Sequence, residues 1–141
     1  FDTYQNTARG DPAADHVGVN EFPAGGAGTP NHSGAGPVQA NSGSTNIEDG
    51  NDHLIRIRWT AADTRLRIYF DGSLRLTYIR NIASTLFGGN SQVYWGFTAS
   101  TGGAYNLHQV LVITSLTCMA SLSMTGVFAR SVRVMIPIRM L

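Results

Sequence analysis

Apolar and polar residues alternate along three consecutive segments in the middle of the chain. Residues 55–59, 66–70 and 74–78 place apolar side chains at every second position, with Arg, Ser, Tyr or Thr between them. This period of two predicts strands with one buried and one solvated face. Asp71-Gly72 separates the last two segments and predicts a type I′ hairpin turn, because both positions need positive φ. The intervening Arg side chains are interpreted as solvated partners of polar neighbours.

Shorter patterns on either side add further strands. Val17 and Val19 predict a short strand, and residues 23–46 predict a long polar loop with one short strand around Val38. A turn is expected over 60–64. Two more strands are expected at 93–99 and 107–115, joined by a loop over 101–104. Antiparallel strands at such short spacing predict an all-β, two-sheet antiparallel sandwich.

Composition narrows the function classes. The 141 residues include 10 basic residues, all Arg, and 9 acidic residues, all between Asp2 and Asp71, for a net charge of +1. Such a balance excludes a nucleic-acid binder built on a basic field. A hydrophobic share of 43% excludes compositional disorder. No apolar run is long enough to predict a membrane span.

Residues 116–141 differ from the rest of the chain. They hold no acidic residue, all four Met and the sole Cys, Cys118, and we expect no clean strand alternation in them. We hypothesise that this tail is translated one base out of frame. Restoring one base near the Ser115–Leu116 junction gives, for one choice of codons, an acidic and aromatic segment bearing Cys-x-x-Cys. The alternative is a genuine divergent strand or helix.

Oxygen-bearing side chains cluster in the first residues of the chain. Asp2, Asn6 and Asp11 offer side-chain oxygens and Tyr4 its carbonyl, which are the ligands that calcium prefers. His16 beside the aspartates would suit a second, transition-metal site, because imidazole favours such ions. Asp and Asn also form turns, so an Asx-turn interpretation stands beside the metal one.

Several motifs then resemble one known family. Phe-Asp-Thr-Tyr-x-Asn, Asp-Pro and His-Val-Gly-Val, over residues 1–19, resemble the metal-binding segment of the legume (L-type) lectins. Residues 53–59 and 66–72 resemble that family's paired strands, and residues 93–102 its Val-Gly-Phe-Ser-Ala-Ser-Thr-Gly strand and loop. When residues 46–50 and 106–110 are included, the sequence is most similar to L-type lectin-like domains of bacterial surface proteins.

The resemblance implies a fold and a domain boundary. Residues 1–115 are expected to form a partial L-type lectin-like domain, a concanavalin A-like jelly-roll sandwich whose N-terminal strands are missing. The family's Glu two positions before the first Asp would fall before Phe1. The family's sugar-binding Asp and a Gly from another loop would also lie upstream. Residues 116–141 remain the atypical tail.

The resemblance also implies metal ligands. Asp2, the Tyr4 carbonyl, Asn6 and Asp11 would hold calcium. Asp2, Asp11 and His16 would hold a transition metal, usually manganese. The ions would fix the loop without touching the sugar, and a loop fixed in advance loses less entropy on binding.

A sugar site is implied beside the metals. Asn6 would bind calcium through its oxygen and donate an N–H to a sugar hydroxyl. The loop that would line the site consists of Thr101, Gly102, Gly103, Ala104 and Tyr105. Tyr4 or Tyr105 is a candidate for stacking on the sugar, and a partly buried sheet-edge tyrosine is the equal alternative.

The expected function is calcium-dependent carbohydrate binding, without catalysis, in a secreted or cell-surface protein with other domains. A glycoside hydrolase of the same fold is an alternative, but Glu48 and Asp49 lie in a loop and no carboxylates pair at strand spacing. A structural adhesin or spacer without sugar binding is a third possibility.

Other polar residues receive structural interpretations. His32 lies in an Asn-His-Ser glycosylation sequon that would be inert in a bacterial protein. His53 and His108 are expected to be structural residues of strands. Glu48, Asp49 and Asp52 are expected to form a solvated loop rather than an ion site.

Overall fold

The computed structural model describes residues 1–22, 31–90 and 96–100, and the backbone of residues 108–110 and 131–140. Its strands are β1 (His16–Val19), β2 (Ala35–Gln39), β3 (Asp52–Thr60), β4 (Arg65–Phe70), β5 (Ser73–Ile79), β6 (His108–Val110) and β7 (Ser131–Met140). The helical segments are α1 (Ile82–Thr85) and two 3₁₀ turns, Thr7–Arg9 and Ala61–Asp63.

The described strands form two antiparallel sheets. One consists of β1 and β2, and the other has the strand order β5-β4-β3-β7-β6. The predicted antiparallel, all-β architecture is therefore confirmed at this level, including the short strand around Val38. The part of the chain that the structure describes forms these two small sheets rather than a complete jelly roll. The expected loop over 101–105 lies outside the described residues.

The hairpin between β4 and β5 has the conformation that its sequence predicts. Asp71 and Gly72 adopt φ of +46° and +83°, as a type I′ turn requires. The Asp71 backbone N–H donates to the Leu54 carbonyl at 2.9 Å, and Oδ1 of Asp71 accepts from the Leu54 N–H at 2.7 Å. The turn is thereby fixed to β3. The predicted turn at 60–64 is the 3₁₀ turn closed by Thr64, whose φ is +51°.

The core lies between the β1–β2 layer and the inner face of β3, β4 and β5. One cluster of buried residues comprises Ala40, Ile47, Ile55 and Phe70, and a second comprises Val17, Ile68 and Leu76. Ile57 packs against both clusters and joins them. The apolar positions of the alternating segments therefore provide most of this interior, as their period predicts.

The prediction that Leu74 lies on the buried face is wrong, because β5 contains a β-bulge. Ile68 pairs with Leu76, but its neighbour Tyr69 pairs with Leu74, so Arg75 is the extra residue of β5. A bulge of one residue shifts the following positions to the opposite face. Leu74 is consequently 48% exposed. The Arg75 guanidinium instead donates to the Gln39 carbonyl of β2, at 2.8 and 3.1 Å.

Three Arg side chains of β3 and β4 have polar or aromatic neighbours. Arg67 pairs with Asp63, and Arg65 lies 3.5 Å from the same carboxylate. The guanidinium of Arg56 lies 3.8 Å from the ring centroid of Tyr69, its cross-strand partner, as in a cation–π contact.

The strand expected at 93–99 is wrong where the structure describes it. Residues 96–100 are exposed and belong to no strand, and residues 91–95 lie outside the described part. Gly96 offers no side chain to a buried face, which weakens strand formation. Of the strand expected at 107–115, the described portion is β6, which confirms residues 108–110.

The tail contains a strand, which was the alternative interpretation of this segment, and its alternation was not expected. β7 pairs with the whole length of β3, from Asp52 opposite Arg139 to Thr60 opposite Ser131. Val132, Val134, Ile136 and Ile138 alternate with other residues, so a period of two is present there after all. The register aligns Val134 with Ile57 of the inner face. The reading frame of the tail is a property of the nucleotide sequence and stays a prediction.

Within the described residues, no helix has the length and apolar character needed to cross a membrane.

Candidate metal centre

The first sixteen residues fold back on themselves and bring their polar groups together. Asp2 and His16 exchange two backbone hydrogen bonds, of 2.9 and 2.8 Å, as an isolated antiparallel bridge. Between them, the 3₁₀ turn Thr7–Arg9 ends at Gly10, whose φ of +77° favours glycine. This reversal returns the chain to Asp11, which is only 7% exposed.

Asp11 divides its two carboxylate oxygens between two sets of neighbours. Oδ2 accepts the backbone N–H of Asn6 at 2.8 Å. Oδ1 lies 2.7 Å from Nε2 of His32 and 3.4 Å from Nε2 of His16. Burial raises the pKa of Asp11, but the hydrogen bonds from His32 and from the Asn6 backbone outweigh it and leave the pKa below its usual value. Asp11 is therefore held as a carboxylate.

His16 provides the test of whether a cation fits here. Its side chain is 1% exposed, and within the described residues neither ring nitrogen has a hydrogen-bond partner. Its Nε2 lies 4.0 Å from Oδ2 of Asp2 as well as near Asp11. A buried polar atom without a partner costs about 1–3 kcal/mol. An imidazole nitrogen that faces carboxylates can bind a divalent cation. Asp2, Asp11 and His16 are therefore suitable ligands for such an ion.

The structure brings two of the predicted metal residues, Asp11 and His16, together with a third residue, His32. Ligand atoms of Asp11, His16 and His32 all lie within 4.8 Å of one another. His32 was expected in a polar loop, within a glycosylation sequon that would be inert, and was not assigned to the metal site. Sequence reasoning missed it because 21 positions separate it from Asp11. Its position before a short strand was the available signal, since that strand pairs with the one that begins at His16.

The remaining predicted site residues have distinct surroundings. The Tyr4 backbone N–H donates to Oδ1 of Asp2 at 2.9 Å, which is an Asx-turn contact, and Tyr4 is 63% exposed. Asn6 is half-buried beside Asp11. The predicted sugar loop, Thr101, Gly102, Gly103, Ala104 and Tyr105, lies outside the described residues.

A comparison with known families agrees with this arrangement. The sequence profile of the legume lectin domain matches residues 1–115. The chain belongs to the legume lectin family. Legume lectins bind carbohydrate, bind calcium and manganese, and are generally non-catalytic. The family implies a concanavalin A-like jelly roll, and the described residues form two small antiparallel sheets. No solved structure was found that matches the chain.

Proposed function

We propose that this legume lectin domain binds carbohydrate in a calcium-dependent way, and that it does so as part of a secreted or cell-surface protein with other domains. The observation that carries the proposal is the position of Asp11. One of its oxygens faces the Asn6 backbone, and the other faces His16. Asp11 thus lies where a calcium position and a transition-metal position would share a ligand.

The residues assigned to each role follow from the resemblance. Calcium would be held by Asp2, the Tyr4 carbonyl, Asn6 and Asp11, and the second ion by Asp2, Asp11 and His16. When bound, the ions supply positive charge that fixes the loop of residues 2–16. Asn6 would then donate its side-chain N–H to a sugar hydroxyl. Preorganised donors lower the ordering cost of binding.

An apolar surface for the sugar is also at hand. Tyr4 lies two residues from Asn6 in the chain and is 63% exposed. An exposed aromatic ring beside a hydrogen-bond donor suits a sugar, which presents hydroxyls at its rim and an apolar face. Tyr4 is therefore proposed as the stacking residue, together with the loop from Thr101 to Tyr105.

A glycan array with the 141-residue chain, in calcium and manganese and again after chelation, tests this function. We expect binding that the chelator abolishes and the two ions restore. Asn6→Asp separates the two roles of Asn6, because the carboxylate keeps an oxygen for calcium but loses the N–H. This variant should keep calcium binding by calorimetry and lose glycan binding. Glycan binding that is unaffected by chelation would contradict the proposal, as would release of reducing sugar.

The matched control is Asp52→Asn, which neutralises an exposed carboxylate at the start of β3. It should bind glycan like the unmodified chain. Absence of glycan binding in every condition would favour the structural spacer.

A further inference from the structure

We propose that His32 is a direct metal ligand, so that the position beside Asp11 is a site of two imidazoles and one carboxylate that takes zinc in preference to manganese. This inference deepens the proposed function and rests on it for the presence of a divalent ion. The resemblance assigns one imidazole to this position. The second imidazole is a property of this chain.

The first argument is distance. Nε2 of His32 lies 2.7 Å from Oδ1 of Asp11, closer than Nε2 of His16, which lies 3.4 Å from the same oxygen. Two atoms bound to one ion at about 2 Å each lie no more than about 4 Å apart. Both imidazoles meet this condition relative to Asp11. Asp2 is at its limit, 4.0 Å from His16, and its side chain is 49% exposed.

The second argument is burial without a partner. His16 is 1% exposed and both its ring nitrogens lack a hydrogen-bond partner within the described residues. The two rings meet edge to face with centroids 5.5 Å apart. Imidazoles that turn toward one carboxylate in a nearly dry site are an arrangement that a shared cation satisfies, because each nitrogen gives it a lone pair.

The third argument is that the local chain holds His32 in place. His32 has φ of +57°, a left-handed conformation that is uncommon outside Gly but that His adopts more often than most residues. Its backbone N–H donates to Oδ1 of Asn20 at 2.6 Å. Beneath its ring lies Gly18, where an added Cβ would come within 2.4 Å of Nδ1 of His32. The left-handed backbone of His32, the Asn20 side chain that follows β1 and the missing side chain of Gly18 thus all serve the position of one imidazole.

The choice of ion follows from ligand chemistry. Imidazole nitrogen and carboxylate oxygen are zinc ligands, and two His with one carboxylate is an established zinc set. Manganese stands lowest in the affinity order of the divalent first-row ions and prefers oxygen-rich sites. Replacing an oxygen by a second nitrogen therefore shifts the preference toward zinc.

Zinc K-edge X-ray absorption on the untagged chain counts the imidazoles directly. We expect two imidazoles per zinc in the unmodified chain and one in His32→Asn. Asn tolerates positive φ and still hydrogen-bonds, so this variant keeps the local backbone while removing the ligand. One imidazole in the unmodified chain, or the same count in both proteins, would overturn the proposal. His53→Gln removes an imidazole that lies outside the cluster, and the count should stay at two.

Competition of zinc against manganese, measured by equilibrium dialysis, gives a second readout. His32→Asn should weaken zinc binding by more than about 10-fold, the effect that even a lost outer ligand partner produces. Manganese affinity should change less. Equal losses for both ions would contradict the zinc preference.

If glycan binding fails while zinc keeps two imidazoles, only the proposed function is contradicted. If glycan binding persists with one imidazole, only this inference falls.

Discussion

His53 of β3 and Asp71 of the β4–β5 hairpin turn are joined by a 2.7 Å hydrogen bond between Nδ1 and Oδ2. The other ring nitrogen of His53 lies 3.1 Å from Oδ1 of Asp49. The ring also packs on Phe70, with centroids 4.6 Å apart. A buried imidazole between two carboxylates ties the loop before β3 to the hairpin, which agrees with the structural role expected for His53.

This clasp predicts a pH-dependent stability. Burial lowers the pKa of His53, but the hydrogen bonds to Asp71 and Asp49 outweigh it, so the pKa is raised above 6.5. The folded state then holds the proton more tightly than the unfolded state. The stabilisation is present in full below pH 6.5 and is lost as pH rises through the raised value. Urea denaturation at several pH values should show the unmodified chain losing stability over this window.

His53→Gln should flatten that loss, and the difference between the two proteins isolates His53 from the other histidines. The pKa of Asp49 is lowered by hydrogen bonds from Asn51 and then from His53. The contribution of Asp49 to stability is therefore present above pH 3.8, its ordinary pKa. It is lost as the pH falls through the lower pKa that Asp49 has in the folded state. An unchanged pH profile in His53→Gln would contradict the clasp.

The hairpin turn predicts an asymmetry between two glycines. Gly72 has φ of +83°, so Gly72→Ala should lower the free energy of unfolding by about 1–2 kcal/mol, the cost of a left-handed conformation for an L-residue. Gly43 is the control, because a Cβ there meets only Oδ1 of Asn41 at an ordinary 3.6 Å. Chemical denaturation measures both. A larger loss in Gly43→Ala would contradict the turn assignment.

Gly18 offers a test of the cluster that leaves every candidate ligand in place. Gly18→Ala puts a Cβ within 2.4 Å of Nδ1 of His32, so the ring must move away from Asp11. Zinc affinity should fall on the order of 10-fold, as for other lost positioning contacts. Gly43→Ala again serves as control. Unchanged zinc affinity in Gly18→Ala would mean that the ring position does not matter.

Removal of divalent ions should destabilise the fold. An ion at 100 times its dissociation constant stabilises the folded state by about 2.7 kcal/mol if it binds that state alone. The melting temperature should therefore drop on chelation. In Asp11→Asn the melting temperature should be the same with and without chelator, because the shared ligand is lost. In Asp52→Asn, chelation should lower the melting temperature as much as in the unmodified chain. A smaller drop in this variant would indicate nonspecific charge effects.

Much of the fold follows from short-range patterns. The alternation around Ile55 and Ile68 predicts β3 and β4, and Asp71-Gly72 predicts the hairpin turn between β4 and β5. Both predictions succeed because hydrophobic period and turn chemistry are local properties of the sequence. The bulge at Arg75 was not predictable, since the Gln39 carbonyl that its guanidinium contacts lies 36 positions away. Leu74 consequently changed face.

The site divides in the same way. Asp2, Asp11 and His16 could be predicted because a single short reversal brings them together. His32 reaches Asp11 only through the pairing of β1 and β2; the sequence predicts the short strand after His32 but not the strand with which it pairs. The alternation of Val and Ile over residues 132–138 was a local signal for β7, whereas its pairing with β3 is long-range and could not be predicted.

The position of β7 has a consequence for the behaviour of shortened chains. Every residue of β3 from Asp52 to Thr60 has a partner on β7. Without residues 131–140, the N–H and C=O groups along that side of β3 would be open to any extended strand. A second molecule offers such a strand, so a chain cut before Ser131 should associate through intermolecular β-pairing and aggregate as its concentration rises.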